Sequence, residues 1–439
     1  MQPIILSPPF SSASGQSIQL PLSKSIYNRL LIIEALGRRQ DALLPLSAKA
    51  LEDKGSYYPN DILVLSRAVV ALVSSPSTEE TILVDVEDCG SALRFVVAYA
   101  ALATKRCVVI SGTERLMQRP MDELLVALNR LGGEVAWEKG EDKRDRIVVR
   151  PSSLKSGKID LTESRSSQFI SALLLISPYL PDGLEVEWDA SSVSKTYVYM
   201  TLSLMRRYGI ECSYTDKEIK VLPGRYLPVS TRDIEADWSS ALYWFAFIAL
   251  SSLGAHLKLQ DLTLPSLQGD ASAAALFRLI GVKAERDEVS GSTTIVRVPC
   301  VEDFHTAFDG LNMHIMPDAA PTMAVVLALR GIPYRMVGLE TLPLKESNRL
   351  VAVKEGLRLF GLDVELTASS ILFRGGEPTL PQETLHLNSH NDHRIAMSFA
   401  VASAMGYEIA VDDPSVVNKS YPLFWRELQQ VLNPEEKSE

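Results

Sequence analysis

The chain has 439 residues, of which 46% are hydrophobic and 22% are charged, and its formal net charge is −10. This composition is typical of a globular protein with a large core, and the length predicts two to four domains. The acidic balance disfavours a protein that binds nucleic-acid phosphates, because such proteins usually present a basic face. A small basic cleft for a compact anionic ligand remains compatible with it.

The cysteines and the apolar runs indicate a cellular compartment. Cys89, Cys107, Cys212 and Cys300 lie far apart and form no paired spacing, so we expect reduced thiols in a cytoplasmic protein. The first residues lack the basic and apolar regions of a signal peptide. No run reaches the roughly 18 apolar residues of a transmembrane helix, so we expect no membrane partner.

One pattern recurs six times along the chain: a short polar stretch opens a nearly uninterrupted apolar helix. The openings lie 67 to 81 residues apart, at Ser23, Gly90, Ser167, Asp237, Asp318 and Asn391. Helices that are apolar on every side must be buried. Helix starts carry unpaired N–H groups and partial positive charge. Several of them together would form an anion site.

Four repeats continue with an amphipathic helix that ends at a glycine and is followed by two short strands. Gly132, Gly209, Gly281 and Gly361 have the position of left-handed helix caps. The first strands are predicted at 134–137, 211–214, 282–285 and 362–366, and the second at 146–149, 218–221, 293–298 and 370–373. The repeated unit is therefore helix, strand, helix, strand, strand.

This repetition predicts an α/β fold of two globules rather than a solenoid. A solenoid keeps one period and has polar terminal repeats, whereas the loops here vary in length. We expect three units in residues 21–235 and three in residues 236–439, with residues 1–20 completing the second globule by a strand. The chain would then cross twice between the globules, an arrangement suited to closure over a ligand.

In the first half, the polar openings carry candidate anion ligands. Lys24, Ser25 and Arg29 lie at the start of the first apolar helix, and Gly90 opens the second with a turn that lets backbone approach a ligand. Arg115 lies in a loop with a second arginine before Pro120, and guanidinium forks suit carboxylate and phosphate. Taken singly, the first motif is more simply a capping serine with two solvated cations, Gly90 alone is weak evidence, and Arg115 is as consistent with a surface arginine pair.

Hydroxyl and amide groups dominate the third opening and the helix after it. These residues are Ser166, Ser167, Gln168, Ser194 and Tyr197. Such groups at a helix start can hold a phosphate or sugar-like hydroxyls without adding charge. The alternative is ordinary N-capping.

In the second half, Asp318 is predicted to cap the fifth apolar helix, where the helix start lowers its pKa. A carboxylate kept ionised in this way can accept a hydroxyl proton. Lys345 and Arg349 are predicted at i and i+4 on one helical face, with Glu346 between them as a candidate proton carrier. The alternatives are a plain cap and an ordinary charged helix.

Near the C-terminus, His386, His390 and His393 invite a metal interpretation, but no cysteine is near and the intervening Asn-Asp pair is a better helix cap. Arg394 is the more interesting residue, as an anion clamp, and Lys419 adds a last cation. No G-x-x-x-x-G-K-[ST] loop occurs, so a nucleoside triphosphate is unsupported.

In this order, the motifs resemble the enolpyruvyl transferase family, in particular its 5-enolpyruvylshikimate-3-phosphate synthases. The similarity covers residues 20–428 and rests on S-K-S…N-R, G-S-A-L-R, R-L-M-Q-R-P, S-S-Q-F, S-K-T-Y, S-L-Q-G-D, P-D-A-A, L-K-E-S-N-R, N-D-H-R and N-K-S-Y-P. It implies two globules of three βαβαββ units, an inside-out α/β barrel with helices buried and sheets outside, and an active site in the interdomain cleft. It also implies enolpyruvyl transfer from phosphoenolpyruvate to the 5-hydroxyl of shikimate 3-phosphate, in the shikimate pathway, with no metal or organic cofactor.

The resemblance also implies roles for individual residues. Catalysis is assigned to Asp318, Lys345, Glu346 and Lys24. Shikimate 3-phosphate is assigned to Lys24, Ser25, Arg29, Ser166, Ser167, Gln168, Ser194, Tyr197, Asp318 and Lys345. Phosphoenolpyruvate is assigned to Lys24, Gly90, Arg115, Gln168, Arg349, Arg394 and Lys419.

Some positions depart from the family pattern, and two other functions stay open. Asp88-Cys89 replaces a common Asn-Ala, Thr341 and Asn348 replace a frequent Asn and Asp, and residues 38–61 lack the usual Asp-Asp pair. The sister enzyme that acts on UDP-N-acetylglucosamine usually has a loop cysteine, which is missing around residues 115–119. A catalytically silent repeat protein that binds an anionic metabolite is the third possibility. We expect a monomer that binds small molecules and no nucleic acid.

Overall fold

The computed structural model describes residues 3–6, 13–37, 58–74, 80–164, 166–192, 194–229, 234–379 and 383–433. The chain divides into two compact units. Unit 1 consists of Met1–Ser23 with Glu235–Glu439, and unit 2 is Lys24–Ile234.

The α-helices are numbered here in chain order through the described residues. They are α1 (Lys24–Gly37), α2 (Asn60–Ser74), α3 (Gly90–Ala103), α4 (Glu114–Met117), α5 (Asp122–Arg130), α6 (Ser167–Ile176), α7 (Lys195–Arg207), α8 (Trp238–Leu250), α9 (Ala273–Leu279), α10 (Ala320–Leu329), α11 (Arg349–Arg358), α12 (His393–Ala400) and α13 (Phe424–Leu432). None of these helices is long and apolar enough to cross a membrane.

The β-strands are short, and they are numbered in the same way. They are β1 (Ile4–Leu6), β2 (Ser14–Ile18), β3 (Thr81–Asp85), β4 (Cys107–Ser111), β5 (Glu134–Lys139), β6 (Asp145–Arg150), β7 (Gly157–Leu161), β8 (Leu184–Trp188), β9 (Cys212–Tyr214), β10 (Glu218–Val221), β11 (His256–Leu259), β12 (Val282–Arg286), β13 (Thr293–Arg297), β14 (Asp309–Asn312), β15 (Tyr334–Val337), β16 (Glu365–Leu366), β17 (Ile371–Phe373), β18 (Leu385–Leu387) and β19 (Ile409–Val411).

The same four-stranded sheet occurs twice in the described part of each unit. In unit 2 the orders are β3-β4-β6-β5 and β7-β8-β10-β9, and in unit 1 they are β12-β13-β11-β2 and β14-β15-β17-β16. In each sheet the first two strands of the repeat are parallel and the other pairings are antiparallel. The parallel pair requires a helical crossover, which the apolar helix supplies.

The N-terminal segment supplies strands to two sheets of unit 1. β2 pairs in parallel with β11, and β1 pairs antiparallel with β19 in a three-stranded sheet of order β1-β19-β18. The chain that leaves unit 1 runs beside the chain that re-enters it: Ser23 N–H donates to the Glu235 carbonyl at 2.9 Å, and Asp237 N–H donates to the Pro21 carbonyl at 2.8 Å.

The apolar helices form the cores of the units. Every residue of α8 and of α10 is buried, and most of α3 and α6 is buried as well. Strands such as β3 alternate between exposed and buried residues, so one face of the sheet packs on helices. Mixed sheets joined by buried helices confirm the α/β class.

The helix-ending glycines and the strands predicted after them are present in the structure. Gly132, Gly209, Gly281 and Gly361 all have positive φ, and the two predicted strands follow each glycine. Two helix starts were predicted wrongly, however. Pro317–Ala319 form a 3-10 turn and α10 begins only at Ala320, so Asp318 is no helix cap. Lys345 lies in extended backbone before α11, which Asn348 caps.

Candidate active site

In unit 1, three cations surround the carboxylate of Asp318. Its Oδ1 accepts from Arg349 Nη1 at 2.9 Å and lies 3.5 Å from Lys345 Nζ. Its Oδ2 accepts from Arg394 Nη2 at 3.0 Å. The 3-10 turn before α10 presents the aspartate, Lys345 lies in the extended backbone before α11, and Arg349 and Arg394 lie at the starts of α11 and α12. Four of the predicted catalytic and binding residues therefore form one cluster, which Glu346 joins through Arg349.

Arg349 is the most deeply buried member of this cluster, with a side chain 1% exposed. Its Nε and Nη2 donate to the two carboxylate oxygens of Asp392 at 2.8 and 3.3 Å, and Nη2 also donates to Glu346 Oε2 at 2.8 Å. Asp392 also accepts from Ser347 Oγ at 3.0 Å and from the Arg394 N–H at 2.9 Å. Asp392 thus caps the helix that carries Arg394, as the Asn-Asp pair predicted, and also fixes the guanidinium of Arg349, a contact that sequence reasoning missed.

The charge balance keeps Asp318 ionised. Burial alone would raise the pKa of Asp318, but the charges of Arg394, Lys345 and Arg349 outweigh it and hold the pKa well below its usual range. The Asp392, Glu346 and Asp318 carboxylates likewise outweigh burial at Arg349 and raise the pKa of its guanidinium. The site is a preformed set of charges rather than a neutral pocket.

The network continues from Arg394 to a second buried carboxylate. Arg394 Nη2 lies 3.4 Å from Ser239 Oγ, and that hydroxyl donates to Asp270. Burial, followed by the charge of Asp318, raises the pKa of Asp270 to about 6, against the opposing charge of Arg394. Asp270 belongs to the S-L-Q-G-D motif, to which no role was assigned from the sequence.

In unit 2, Arg29 is buried at the centre of α1. It donates to the Ser25 carbonyl at 2.7 Å, to Thr201 Oγ1 at 2.7 Å, to Ser171 Oγ at 3.2 Å and to the Tyr197 carbonyl at 3.3 Å. Burial lowers the pKa of Arg29 to about 10, so the guanidinium remains charged at neutral pH. In the described part of the chain these partners are all neutral oxygens, which leaves a net positive charge.

Lys24 forms an ion pair with Asp61. The Nζ–Oδ2 distance is 2.7 Å, and the side chains are 17% and 6% exposed. The sequence alone indicated that an acidic pair was missing from residues 38–61; residues 38–57 lie outside the described residues, but Asp61 at the start of α2 supplies one acid. The prediction missed Asp61 because the segment before it does not resemble the family.

Gly90 lies close to the guanidinium groups of Arg119 and Arg94. A Cβ at this position would meet Arg119 Nη1 at 2.7 Å and Arg94 Nη1 at 3.1 Å. Arg94 also donates to the Gly90 and Pro120 carbonyls at 3.0 and 3.1 Å. The predicted ligand Arg115 is exposed on α4. The structure therefore places the guanidinium groups of Arg119 and Arg94 against Gly90.

Serines precede two helices of unit 2 without capping them through their side chains. Ser166 is the N-cap of α6 and Ser194 the N-cap of α7, and neither makes a side-chain cap hydrogen bond. Ser167 and Gln168 follow in the first turn of α6 and are partly exposed, as is Tyr197 on α7. Neither serine hydroxyl therefore accepts from a first-turn N–H group of its own helix.

The remaining candidates divide into a cation and three histidines. Lys419 is buried at the end of a 3-10 turn. His386 lies in β18, His390 Nε2 lies 3.2 Å from Glu355, and His393 is buried in α12. Within the described ranges, no group of histidine, cysteine and acidic side chains has the geometry of a metal site.

The architecture matches that of enolpyruvyl transferases. Over 98% of this chain and of the solved chain, the fold is similar to that of the EPSP synthase from Acinetobacter baumannii, with a TM-score of 0.70 and 18% identity. It is also similar to that of the enolpyruvyl transferase NikO from Streptomyces tendae, with a TM-score of 0.66 and 10% identity over 98% of this chain and 97% of that one.

The sequence then defines the family. Residues 61–428 match the model of EPSP synthase (3-phosphoshikimate 1-carboxyvinyltransferase). The chain is 36% identical over 417 residues, 94% of each chain, to a 3-phosphoshikimate 1-carboxyvinyltransferase of Bacteroides fragilis. It belongs to the EPSP synthase family. The carboxyvinyl group is the enolpyruvyl group, so the chain is an enolpyruvyl transferase of the shikimate pathway.

Proposed function

We propose that the Asp318 cluster carries out the transfer of enolpyruvyl from phosphoenolpyruvate to the 5-hydroxyl of shikimate 3-phosphate. The observation that carries this assignment is the buried carboxylate held ionised by Lys345, Arg349 and Arg394. An ionised carboxylate can take the hydroxyl proton as the oxygen attacks. The same cations can bind the phosphate and carboxylate groups of phosphoenolpyruvate.

The cations serve two purposes in this proposal. Two polyanionic substrates repel each other, and fixed positive charges offset that Coulomb energy. The bound anions then also compete with Asp318 for Arg349, Arg394 and Lys345. This competition raises the pKa of Asp318 from its depressed value, and so makes the carboxylate a better base only when substrate is present.

The reaction proceeds by addition and elimination. A proton from Lys345 or Glu346 adds to the methylene carbon of phosphoenolpyruvate, and positive charge develops at C2. The 5-hydroxyl oxygen bonds to C2 while Asp318 takes its proton, which gives a tetrahedral adduct. Lys345 or Glu346, whichever gave the first proton, then takes back a methyl proton, and phosphate departs with the proton that Asp318 had accepted. The double bond is restored, and the net products are the enolpyruvyl ether and phosphate.

Further binding roles are assigned to residues of unit 2. We assign the substrate phosphate to Ser166, Ser167 and Ser194, at the N-termini of α6 and α7, and the substrate carboxylate to Arg29. Ser25, Gln168 and Tyr197 line this site.

Lys24, Gly90 and Lys419 keep the roles towards phosphoenolpyruvate that the resemblance implies. The position of Arg119 against Gly90 supports this arginine in place of Arg115.

Finer points of organisation belong to the same proposal. We infer two globules of three βαβαββ units each, with the helices inside. The repeated four-stranded sheets of both units support this arrangement. We also infer a cytoplasmic monomer that binds no nucleic acid, which agrees with four free cysteines and a net charge of −10.

The test is phosphate release from phosphoenolpyruvate by the purified chain with three additions: shikimate 3-phosphate, UDP-N-acetylglucosamine, or no acceptor. We expect release with shikimate 3-phosphate alone. Release with the nucleotide sugar would assign the chain to the sister reaction. Binding of shikimate 3-phosphate without release would identify a silent binding protein.

A further inference from the structure

Arg29 and Arg349 are both buried arginines, but their surroundings differ in charge. Arg349 contacts the carboxylates of Asp392, Glu346 and Asp318, so its charge is more than balanced. Among the described residues, Arg29 donates only to hydroxyl and carbonyl oxygens. Burying an isolated cation is costly, so an arrangement that leaves its charge unbalanced calls for an explanation.

Two hydroxyls determine where the Arg29 guanidinium lies. Thr201 Oγ1 accepts from Nε at 2.7 Å, and Ser171 Oγ accepts from Nη2 at 3.2 Å. The two oxygens lie 2.9 Å apart, and Thr201 is also 2.9 Å from the Tyr197 carbonyl. Both side chains are fully buried. They come from different helices, α6 and α7, so the hydroxyl pair fixes two separate nitrogens of one guanidinium.

The remaining sides of the guanidinium are also constrained. The Ser25 carbonyl accepts from Nη1 at 2.7 Å, and the Phe95 ring lies 5.5 Å below the guanidinium carbon. An aromatic face stabilises a cation without neutralising it. Within the described residues, the guanidinium thus contacts only neutral groups.

We propose that Ser171 and Thr201 are positioning residues that orient Arg29 with neutral oxygens, so that its full charge is available to the carboxylate of shikimate 3-phosphate. This inference rests on the proposed function, and in particular on the assignment of the substrate carboxylate to Arg29. A carboxylate partner would hold the guanidinium equally well, but it would compete with the substrate for the same charge. Hydroxyls provide geometry without that competition.

The first test removes the hydroxyl of Thr201 at constant shape. Thr201→Val should raise the KM for shikimate 3-phosphate roughly 10- to 100-fold, the range for a lost hydrogen bond to a charged group. The kcat and the KM for phosphoenolpyruvate should change less than threefold. Thr201→Ser keeps the hydroxyl and should restore the KM. Thr293→Val is the matched control, because Thr293 is buried in β13 and donates to the Leu262 carbonyl.

The second test examines charge separately from geometry. Ser171→Ala loses the contact with Nη2, whereas Ser171→Asp adds a carboxylate that can hold the guanidinium. If neutrality matters, calorimetry should show weaker binding of shikimate 3-phosphate to Ser171→Asp than to Ser171→Ala. Ser177→Ala controls for the loss of a buried serine hydroxyl directly after α6. Thermal melting establishes that each variant is folded.

The outcomes separate this inference from the function it rests on. If the wild-type chain releases no phosphate with shikimate 3-phosphate, the proposed function is wrong. If Arg29→Ala leaves the KM for shikimate 3-phosphate unchanged, the role of Arg29 is wrong. If Arg29→Ala raises that KM but Thr201→Val does not, or if Ser171→Asp binds as tightly as wild type, only the positioning inference is overturned.

Discussion

Asp318 and Arg349 form an ion pair of 2.9 Å in which the arginine is shared with two further carboxylates. One guanidinium therefore serves three acids, and Asp318 depends on Arg394 and Lys345 for the rest of its stabilisation. Its position is set by residues from two other chain segments, one with Lys345 and Arg349 and one with Arg394. Asp318 is the acid of this set that faces the most cations, and its partners are also those expected to bind phosphoenolpyruvate.

Replacement of Asp318 tests its proposed role as the base. Asp318→Asn keeps the shape of the side chain but cannot take the hydroxyl proton, so kcat should fall roughly 10²- to 10⁴-fold. Asp318→Ala should lose as much, while both variants should still fold and bind shikimate 3-phosphate. Phosphate release and calorimetry provide the two measurements.

The matched control for this prediction is Asp309→Asn. Asp309 also pairs with an arginine, Arg335, at 3.0 Å, but on an exposed sheet edge. An exposed pair contributes little, so activity should be unchanged. Near-normal phosphate release by folded Asp318→Asn would remove Asp318 from the chemistry.

Lys24 provides the second prediction. Lys24→Met removes the cation but keeps the length of the side chain, and it breaks the ion pair with Asp61. We expect phosphate release to fall at least roughly 100-fold, as is typical for the loss of one fixed electrostatic contact in an active site. The KM for phosphoenolpyruvate should rise as well.

Lys139→Met is the control, because Lys139 pairs with Asp145 at 3.0 Å with both side chains more than half exposed. It should leave turnover unchanged. A folded Lys24→Met variant with wild-type kinetics would show that the Lys24–Asp61 pair serves structure alone.

The parts of the fold that the sequence predicts are those encoded by short-range signals. A glycine after an apolar helix end is a short-range signal, and all four predicted caps have positive φ. By contrast, the extended backbone at Lys345 was missed. Asn348 caps a helix that begins at Arg349, but an asparagine in the sequence does not by itself show that a helix begins after it. Helix formers around Lys345 made a longer helix equally plausible.

The site was predicted only in part, for a different reason. Motif order identified Asp318, Lys345, Arg349 and Arg394, which the structure brings together. The partner of Arg349 at Asp392 is 43 residues away in sequence, and no local pattern encodes such a pairing. The choice between Arg115 and Arg119 likewise depends on which side chain the loop turns towards Gly90.

Gly90 gives the third prediction. Gly90→Ala places a Cβ 2.7 Å from Arg119 Nη1, so the guanidinium must move, although it is the flexible end of a side chain. The backbone at Gly90 has no positive φ, and folding should be unaffected. We expect a KM for phosphoenolpyruvate raised roughly tenfold, the cost of one displaced contact to an anion, and an unchanged KM for shikimate 3-phosphate.

Gly224→Ala is the control for steric crowding, because its Cβ would meet Ile210 Cδ1 at 3.2 Å. Its kinetics should match wild type. If Arg119→Lys leaves the KM for phosphoenolpyruvate unchanged, the contact between Gly90 and Arg119 has no part in binding.

The last prediction concerns stability and pH at Asp270. Burial and the charge of Asp318 raise the pKa of Asp270 to about 6, above the value of about 4 in an unfolded chain. Between these values the folded state binds more protons than the unfolded state, so the free energy of unfolding falls as pH rises. Asp270→Asn has no carboxyl group to titrate at this position. Its free energy of unfolding relative to wild type should therefore rise from pH 4 to pH 6 and then stay level.

Urea unfolding at pH 4, 5, 6 and 7 measures this difference. Asp270→Asn also alters the contact with Ser239, but that change adds an offset that is nearly constant with pH. Glu427→Gln provides a comparison, since burial raises the pKa of Glu427 to about 7. Its relative stability should rise in the same direction and level off about one pH unit higher. If the difference in free energy of unfolding between Asp270→Asn and wild type does not change with pH, Asp270 is ionised throughout. Arg394 would then lie between two anions, the carboxylates of Asp318 and Asp270.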